Sequence, residues 1–141
     1  MKIEENYSIK DINSLRINQF AKYFCLIETI EQFLEAIEFS RLKSLPILFI
    51  GEGSNIVFTK DYDGLVIKNN IFGKVEHDER IVEISSGENW HNFVDWSLSN
   101  EKYGLENLAL IPGTVGASPI QNIGAYGKEV SEFIKEVKSI N

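Results

Sequence analysis

The chain has 141 residues, of which 43% are hydrophobic and 25% are charged, values that favour one globular domain over a disordered or fibrous chain. The net charge of -7, with 14 scattered basic residues, argues against a broad basic face for nucleic acid. The single cysteine, Cys25, excludes an internal disulfide and a cysteine-based metal site.

The first residues and the hydropathy pattern predict where the protein works. Residues 1–10 carry acids and lack the apolar stretch of a secretory signal. No apolar run reaches about 18 residues, the length that indicates a membrane-spanning helix. We therefore expect a cytoplasmic protein with no membrane or nucleic-acid partner and no bound metal.

The chain is expected to begin with a flexible arm over residues 1–12, because this stretch is polar and patternless. Thr29 and Gln32 have the spacing of a capping box and predict the start of a helix, which Pro46 would end near Ser44. The apolar face of this helix is predicted to comprise Ile30, Phe33, Leu34, Ile37 and Leu42. Cys25, between Phe24 and Leu26, is predicted to be a packed core thiol.

Short apolar runs predict the first strands. Residues 46–50 are predicted to form a buried strand, and residues 56–58 and 65–67 two more, joined by a turn over 61–64. By composition, residues 51–55 are a turn.

The second half of the chain continues with a strand over residues 81–84 and a helix over 89–100. The inward face of this helix is predicted to comprise Trp90, Phe93, Val94 and Leu98. A short helical turn is expected over 129–135, and the opening of a strand over 136–140. A strand that begins where the sequence stops leaves two alternatives, a fragment of a longer protein or a terminal edge strand.

Six of the ten glycines fall in two segments. The first segment, residues 51–55 (Gly-Glu-Gly-Ser-Asn), follows a predicted strand, a usual position for backbone N–H groups that bind phosphate. It lacks the third glycine of a dinucleotide fingerprint and the Gly-Lys of a Walker loop. A tight turn between strands remains the alternative for this segment.

The second segment, residues 107–127, has four glycines, two prolines and no charged residue. A long uncharged loop needs a partner for its backbone polar groups. A flat cofactor would supply one, with ring contacts from Ile111, Ile120 and Ile123, hydrogen bonds from amides, and a diphosphate near the glycines. An Ω-loop packed by its own side chains is the alternative.

Both segments resemble the flavin-binding motifs of the UDP-N-acetylenolpyruvoylglucosamine reductase family. Residues 87–91 and 104–108 resemble the family between those motifs, and Asn13-Ser14-Leu15 resembles its opening segment. The resemblance implies an α+β fold, the two-lobed FAD-binding domain of the vanillyl-alcohol-oxidase (PCMH) type, here truncated. Residues 13–68 would form the first lobe, residues 69–141 an incomplete second lobe, and FAD would lie between them.

The resemblance also implies a reaction. In the family, NADPH reduces FAD, and the flavin passes a hydride to the enolpyruvyl group of the UDP-sugar, giving UDP-N-acetylmuramate for peptidoglycan. The FAD contacts implied for this chain are Gly51, Glu52, Gly53, Ser54, Asn55, Ile111, Pro112, Gly113, Thr114, Gly116, Ala117, Ser118, Ile120, Gln121, Asn122, Ile123, Gly124 and Ala125.

The resemblance assigns no catalytic residue to this sequence. The family's catalytic serine, arginine and glutamate lie beyond the matched region, as does its substrate-binding domain. We therefore expect the 141 residues alone to be inactive. Three alternatives stay open: the FAD-binding part of a reductase, a non-catalytic flavin or nucleotide-binding module, and half of a split enzyme.

Overall fold

A computed structural model describes residues 1–140, and the chain divides after Gly73 into two compact units. The predicted boundary between the two lobes lay slightly earlier, after residue 68. Asn141, which the predicted second lobe included, lies outside the described residues.

The first unit is a four-stranded sheet with one long helix. Its elements are β1 (Glu4–Ser8), β2 (Phe20–Ile27), α1 (Ile30–Lys43), β3 (Ile47–Ile50) and β4 (Tyr62–Asn69). The strand order is β1-β2-β4-β3, with β4 parallel to both of its neighbours and β1 antiparallel to β2. The chain therefore leaves β2, passes through α1 and returns to the same sheet, as parallel strands require.

The prediction of a flexible arm over residues 1–12 is wrong. This stretch forms β1 and a short 3-10 helix, Lys10–Ile12, and it contributes the buried side chains of Ile9 and Ile12 to the core. β1 is an edge strand with mostly solvated side chains, so its apolar pattern is too weak to be recognised from sequence. The sequence reasoning also missed β2, which directly precedes the first predicted helix.

The helix α1 begins and ends where its capping signals predicted. The Thr29 hydroxyl accepts a hydrogen bond from the Gln32 N–H (3.3 Å), and Ser44 ends the helix in a left-handed conformation. The predicted apolar face is only partly right, because Phe33 and Ile37 pack against the core. The other predicted members are half-exposed or exposed: Ile30, Leu34 and Leu42. Small residues take their place, with Ala36 and Ser40 buried.

Two strand predictions of the first unit need correction. Residues 47–50 form β3, but at the edge of the sheet, so that Phe49 is 48% exposed rather than buried. Residues 56–58 form no strand, and β4 begins at Tyr62, inside the predicted turn over 61–64. The prediction that Cys25 is a core thiol is confirmed.

The second unit consists of short elements around one longer helix. Its strands are β5 (Lys74–Glu76), β6 (Val82–Ile84), β7 (Gly124–Ala125) and β8 (Lys128–Glu129), and its helices are α2 (Trp90–Ser99) and α3 (Ser118–Gln121). β5 pairs with β6, and β7 with β8, both antiparallel. Three 3-10 helices complete it: Glu106–Leu108, Val115–Ala117 and Val130–Glu132.

The core of the second unit forms around α2. The predicted inward face of α2 is confirmed, since Trp90 and Val94 are buried and Phe93 and Leu98 pack beside them. The indole Nε1–H of Trp90 donates to the carbonyl of Leu108 (2.7 Å), so its buried polar atom is satisfied. The prediction of a strand over 136–140 is wrong, because these residues lie outside any strand or helix.

Candidate functional site

The first glycine segment, residues 51–55, forms a tight bend directly after β3. Gly53 has φ +64°, a conformation that favours glycine. A Cβ on Gly53 would lie 2.2 Å from the Ile12 carbonyl oxygen and 2.9 Å from Asn13 Cα. Glycine is therefore required here both by conformation and by close packing of two backbone segments.

Residues 9–17 hold the first segment in place. The Ser14 backbone N–H donates to the Gly53 carbonyl (3.1 Å), and the Ser14 hydroxyl donates to the same oxygen (3.3 Å). Asn13 is 4% exposed, and its amide N–H groups donate to the carbonyls of Ile9 (2.7 Å) and Ile17 (3.2 Å). Its side-chain oxygen accepts from the Ile17 N–H (3.0 Å), so this asparagine closes the loop that supports Gly53.

Asn13 and Ser14 are supporting residues whose role the sequence reasoning missed. They were noted only as part of a resemblance, without a function. The four-residue spacing of Asn13 and Ile17 is the only local sign of this hydrogen-bonded loop. That Asn13 is buried and bridges the loop can be recognised only once the fold is known.

The middle of the second segment is fixed by backbone hydrogen bonds to residues 86–90, which we call the template turn. The Trp90 N–H donates to the Gly113 carbonyl (2.9 Å), the Val115 N–H to the Glu88 carbonyl (2.8 Å), and the Gly116 N–H to the Ser86 carbonyl (2.9 Å). Asn89 and Thr114 form an antiparallel bridge at the same place. Residues 113–116 thus follow the template turn as an additional short strand would.

Gly116 is needed because the template turn lies so close. A Cβ on Gly116 would lie 2.5 Å from Ser86 Cβ and 2.9 Å from the Ser86 carbonyl oxygen. The backbone of Gly116 does not have a positive φ, so here the requirement is space alone.

The prediction that residues 107–127 form an extended irregular loop is incomplete. The segment contains the 3-10 helices Glu106–Leu108 and Val115–Ala117, then α3 and β7. The Ser118 hydroxyl donates to the Val115 carbonyl (2.8 Å), and the Ile123 N–H donates to the Ser118 carbonyl (3.2 Å). These are turns closed by their own backbone, which explains how so many small residues stay ordered.

Asn122 ties the end of the segment to the residues that follow. Its φ is +43°, its side-chain N–H donates to the Glu129 carboxylate (2.7 Å), and its side-chain oxygen accepts from the Ser131 N–H (3.2 Å). The Glu132 carboxylate also accepts from the Glu129 N–H (2.9 Å). The hydrogen bond from Lys128 (2.7 Å) contributes most to holding the pKa of Glu132 below its ordinary value.

The apolar side chains of the second segment fall into two groups. Ile111 and Ile123, expected to contact a flat ring, instead pack partly against the unit's own core around Trp90. Three others are exposed: Leu110 (76%), Ile120 (86%) and Tyr126 (90%). Exposed apolar side chains on a segment with fixed backbone are what a ligand of low polarity would cover.

Cys25, the only cysteine of the sequence, is buried. Burial raises the pKa of the Cys25 thiol to about 11, so it is a poor nucleophile near neutral pH. Among residues 1–140, no cluster of three or more His, Cys, Asp and Glu side chains could hold a metal ion. No helix in that range is long and apolar enough to cross a bilayer.

The structure places the predicted site residues in both units. The first unit carries Gly51, Glu52, Gly53, Ser54 and Asn55. The second unit carries Ile111, Pro112, Gly113, Thr114, Gly116, Ala117, Ser118, Ile120, Gln121, Asn122, Ile123, Gly124 and Ala125. Within each unit the predicted residues fall in one segment, 51–55 in the first and 111–125 in the second.

Comparison with known proteins gives a family for this chain. The family model described as "FAD binding domain" matches residues 21–141, which include both glycine segments. Reductases named UDP-N-acetylenolpyruvoylglucosamine reductase are similar. The sequence from Escherichia coli is 44% identical over 96% of this chain, and that from Buchnera aphidicola is 42% identical over 92%. The chain spans 40% of the length of each of these relatives.

A solved structure confirms the predicted type of fold. The crystal structure titled UDP-N-acetylenolpyruvylglucosamine reductase (MurB) from Thermus caldophilus superposes with a TM-score of 0.68 at 23% identity. The match covers 93% of this chain and 46% of that one. At this identity the likeness concerns the fold, and it supports the expected α+β FAD-binding architecture.

Proposed function

Because the chain belongs to the FAD-binding domain family, we propose that residues 51–55 and 111–125 bind FAD. The observation that carries the proposal is the second segment, whose backbone is fixed by the template turn while Leu110, Ile120 and Tyr126 remain exposed. Such a surface is ordered before any ligand binds, which reduces the entropy lost on binding.

The chemistry of the segment fits the parts of FAD. Residues 107–127 contain no carboxylate, so the diphosphate would meet no local repulsion despite the net charge of -7. Backbone N–H groups in a glycine turn supply positive potential without a lysine. The exposed apolar side chains suit the aromatic rings.

We further propose that the chain is the FAD-binding part of an NADPH-dependent reductase that converts UDP-N-acetylglucosamine enolpyruvate to UDP-N-acetylmuramate. The names of relatives that are 39–45% identical support this assignment. In that setting, bound FAD would carry the hydride from NADPH. The protein would serve peptidoglycan synthesis, and through it cell shape and division, in the cytoplasm.

The 141-residue polypeptide tested by itself is expected to show no turnover. It spans 40% of the length of the related reductases. The resemblance implies that the family's catalytic serine, arginine and glutamate lie beyond the matched region. Incubation with FAD, NADPH and the enolpyruvyl sugar should leave NADPH absorbance at the level of a protein-free control. Substrate-dependent NADPH consumption would contradict the proposal.

A flavin titration tests FAD binding directly. FAD fluorescence should fall saturably as purified protein is added, with a shift of the visible absorption bands. Gly116→Ala should weaken binding because it pushes residues 113–116 away from the template turn. Gly127→Ala adds backbone strain at φ +76° but no steric overlap within 4 Å, so it is the control for an alanine that does not move residues 113–116. If the wild-type chain is folded by circular dichroism and leaves FAD fluorescence unchanged, this chain does not bind FAD alone and the proposal fails.

A further inference from the structure

An ion pair joins Lys74 to Glu88, a residue of the template turn. The Lys74 ammonium is 2.7 Å from a Glu88 carboxylate oxygen, and the side chains are only 25% and 13% exposed. Most other ion pairs of the described chain are far more exposed, for example Arg16 with Asp11 at 72% and 76%. Ion pairs as exposed as that of Arg16 with Asp11 contribute little to stability. Removing one partner of a pair that is shielded from water, in contrast, is strongly destabilising.

Lys74 connects this pair to the start of a strand. It is the first residue of β5, which pairs with β6, so its backbone is part of a ladder. The position of Glu88 is defined by the hydrogen bond from its own N–H to the Ser85 carbonyl (3.2 Å). The ion pair therefore joins the β5-β6 hairpin to the turn that carries Glu88.

The same turn positions the proposed flavin segment. The Glu88 carbonyl accepts from the Val115 N–H (2.8 Å), and the Ser86 carbonyl accepts from the Gly116 N–H (2.9 Å). A shift of the turn by a few tenths of an ångström would be transmitted to Gly116, because Ser86 leaves no free space beside it. Lys74 thus acts on residues 115–116 through Glu88.

We propose that Lys74 is a positioning residue for FAD binding, acting through Glu88 in two ways. It holds the template turn so that residues 113–116 keep their conformation. Its positive charge also neutralises the carboxylate of Glu88, which belongs to that turn. This inference rests on the proposed function. Without Lys74, the Glu88 carboxylate, only 13% exposed, would lose the ammonium that balances its charge, and this negative charge would oppose the binding of a diphosphate.

A set of four variants tests this role: Lys74→Met, Lys74→Arg, Glu88→Gln and the double variant Lys74→Met with Glu88→Gln. Lys74→Met should weaken FAD binding by about tenfold or more, the factor that 1.4 kcal/mol makes in an equilibrium constant. Lys74→Arg should restore most of the affinity. The double variant should bind better than Lys74→Met, because Glu88→Gln removes the negative charge that Lys74 balances. Equal losses in Lys74→Met and in the double variant would overturn the neutralising role.

Riboflavin separates the electrostatic effect from a general loss of structure. It lacks the diphosphate, so Lys74→Met should weaken riboflavin binding much less than FAD binding. Equal weakening of both ligands would overturn the charge argument. The combined tryptophan emission of Trp90 and Trp96, both in α2 of the same unit, reports whether each variant is folded.

Hydrogen exchange without FAD keeps this inference separate from the proposed function. In the apo protein, Lys74→Met should speed exchange at the Val115 and Gly116 amides by about tenfold, while exchange in α1 stays unchanged. If the wild type does not bind FAD but these amides respond, the proposed function fails, while the structural part of the inference, that Lys74 holds residues 113–116 through Glu88, stands. If the amides do not respond, the positioning role is wrong, whatever the result with FAD.

Discussion

Substitution of Gly53 by alanine tests whether the first segment is fixed by backbone contact. The new Cβ adds two costs: a left-handed φ of +64° for a residue with a side chain, and overlap with the Ile12 carbonyl at 2.2 Å. The first costs about 1 kcal/mol, because a residue with a Cβ is held in the left-handed conformation that glycine adopts easily. The second forces residues 12–13 to move, which costs a further 1–3 kcal/mol or so, typical of overpacking.

Two other glycines separate these costs. Gly127 has φ +76° and open space around it, so Gly127→Ala should lower the free energy of unfolding by about 1 kcal/mol. Gly116 has no positive φ but lies 2.5 Å from Ser86 Cβ, so Gly116→Ala measures the steric cost alone. Gly53→Ala carries both, and its expected total is about 3 kcal/mol.

Urea denaturation followed by far-ultraviolet circular dichroism measures the three variants under one condition. The expected order of destabilisation is Gly53→Ala first, Gly116→Ala second and Gly127→Ala last. If Gly53→Ala is no more destabilising than Gly127→Ala, the close contact with residues 12–13 is not present in solution and the reasoning is refuted.

Two further substitutions test the first unit. The pKa of the Cys25 thiol is raised from 9.0 to about 11 in the folded protein. The stabilisation that the protonated thiol contributes is therefore fully present below pH 9 and is lost as the pH rises through 11. At 1.36 kcal/mol per pKa unit, the loss is about 3 kcal/mol. Cys25→Val should therefore lose less stability than the wild type between pH 8 and 11 in urea denaturation, and parallel pH curves would contradict this. Asn13→Ala leaves the Ile17 N–H without its acceptor and should lower the free energy of unfolding by about 2–3 kcal/mol, whereas exposed Asn18→Ala should change it little. An Asn13→Ala variant as stable as the wild type in the same assay would show that this asparagine does not hold the loop.

The helices were the most predictable part of the fold. Their signals are local: Thr29 and Asn89 cap α1 and α2 with their own side chains, and Trp90 and Val94 fall on one face. The face of α1 was harder to predict, because Ala36 and Ser40 are buried by their position against the sheet and not by their hydrophobicity.

The strands of the first unit were less predictable because edge strands expose much of their surface. β1 and β3 are the two edges of the sheet, and one was predicted as a flexible arm while the other was predicted to be buried. Strand pairing is decided by distant residues, so neither the order β1-β2-β4-β3 nor the edge position of β3 has a local signal.

The candidate site shows the same division. The glycine segments could be located from composition, and their resemblance to a reductase family indicated the cofactor. What supports them could not, because Ser14 and the template turn form hydrogen bonds to residues distant in sequence, and the bridging side chain of Asn13 has no recognisable pattern. The Lys74–Glu88 ion pair likewise joins two residues 14 positions apart, and no sequence pattern predicts their contact.

The most direct test of the central claim is amide hydrogen exchange of the 141-residue chain with and without saturating FAD, resolved by residue. FAD should slow exchange within residues 51–55 and within residues 111–125, and leave the amides of α1 unchanged. Saturable quenching of FAD fluorescence with no protection in either segment, or with protection confined to other residues, would contradict the assignment of the flavin site.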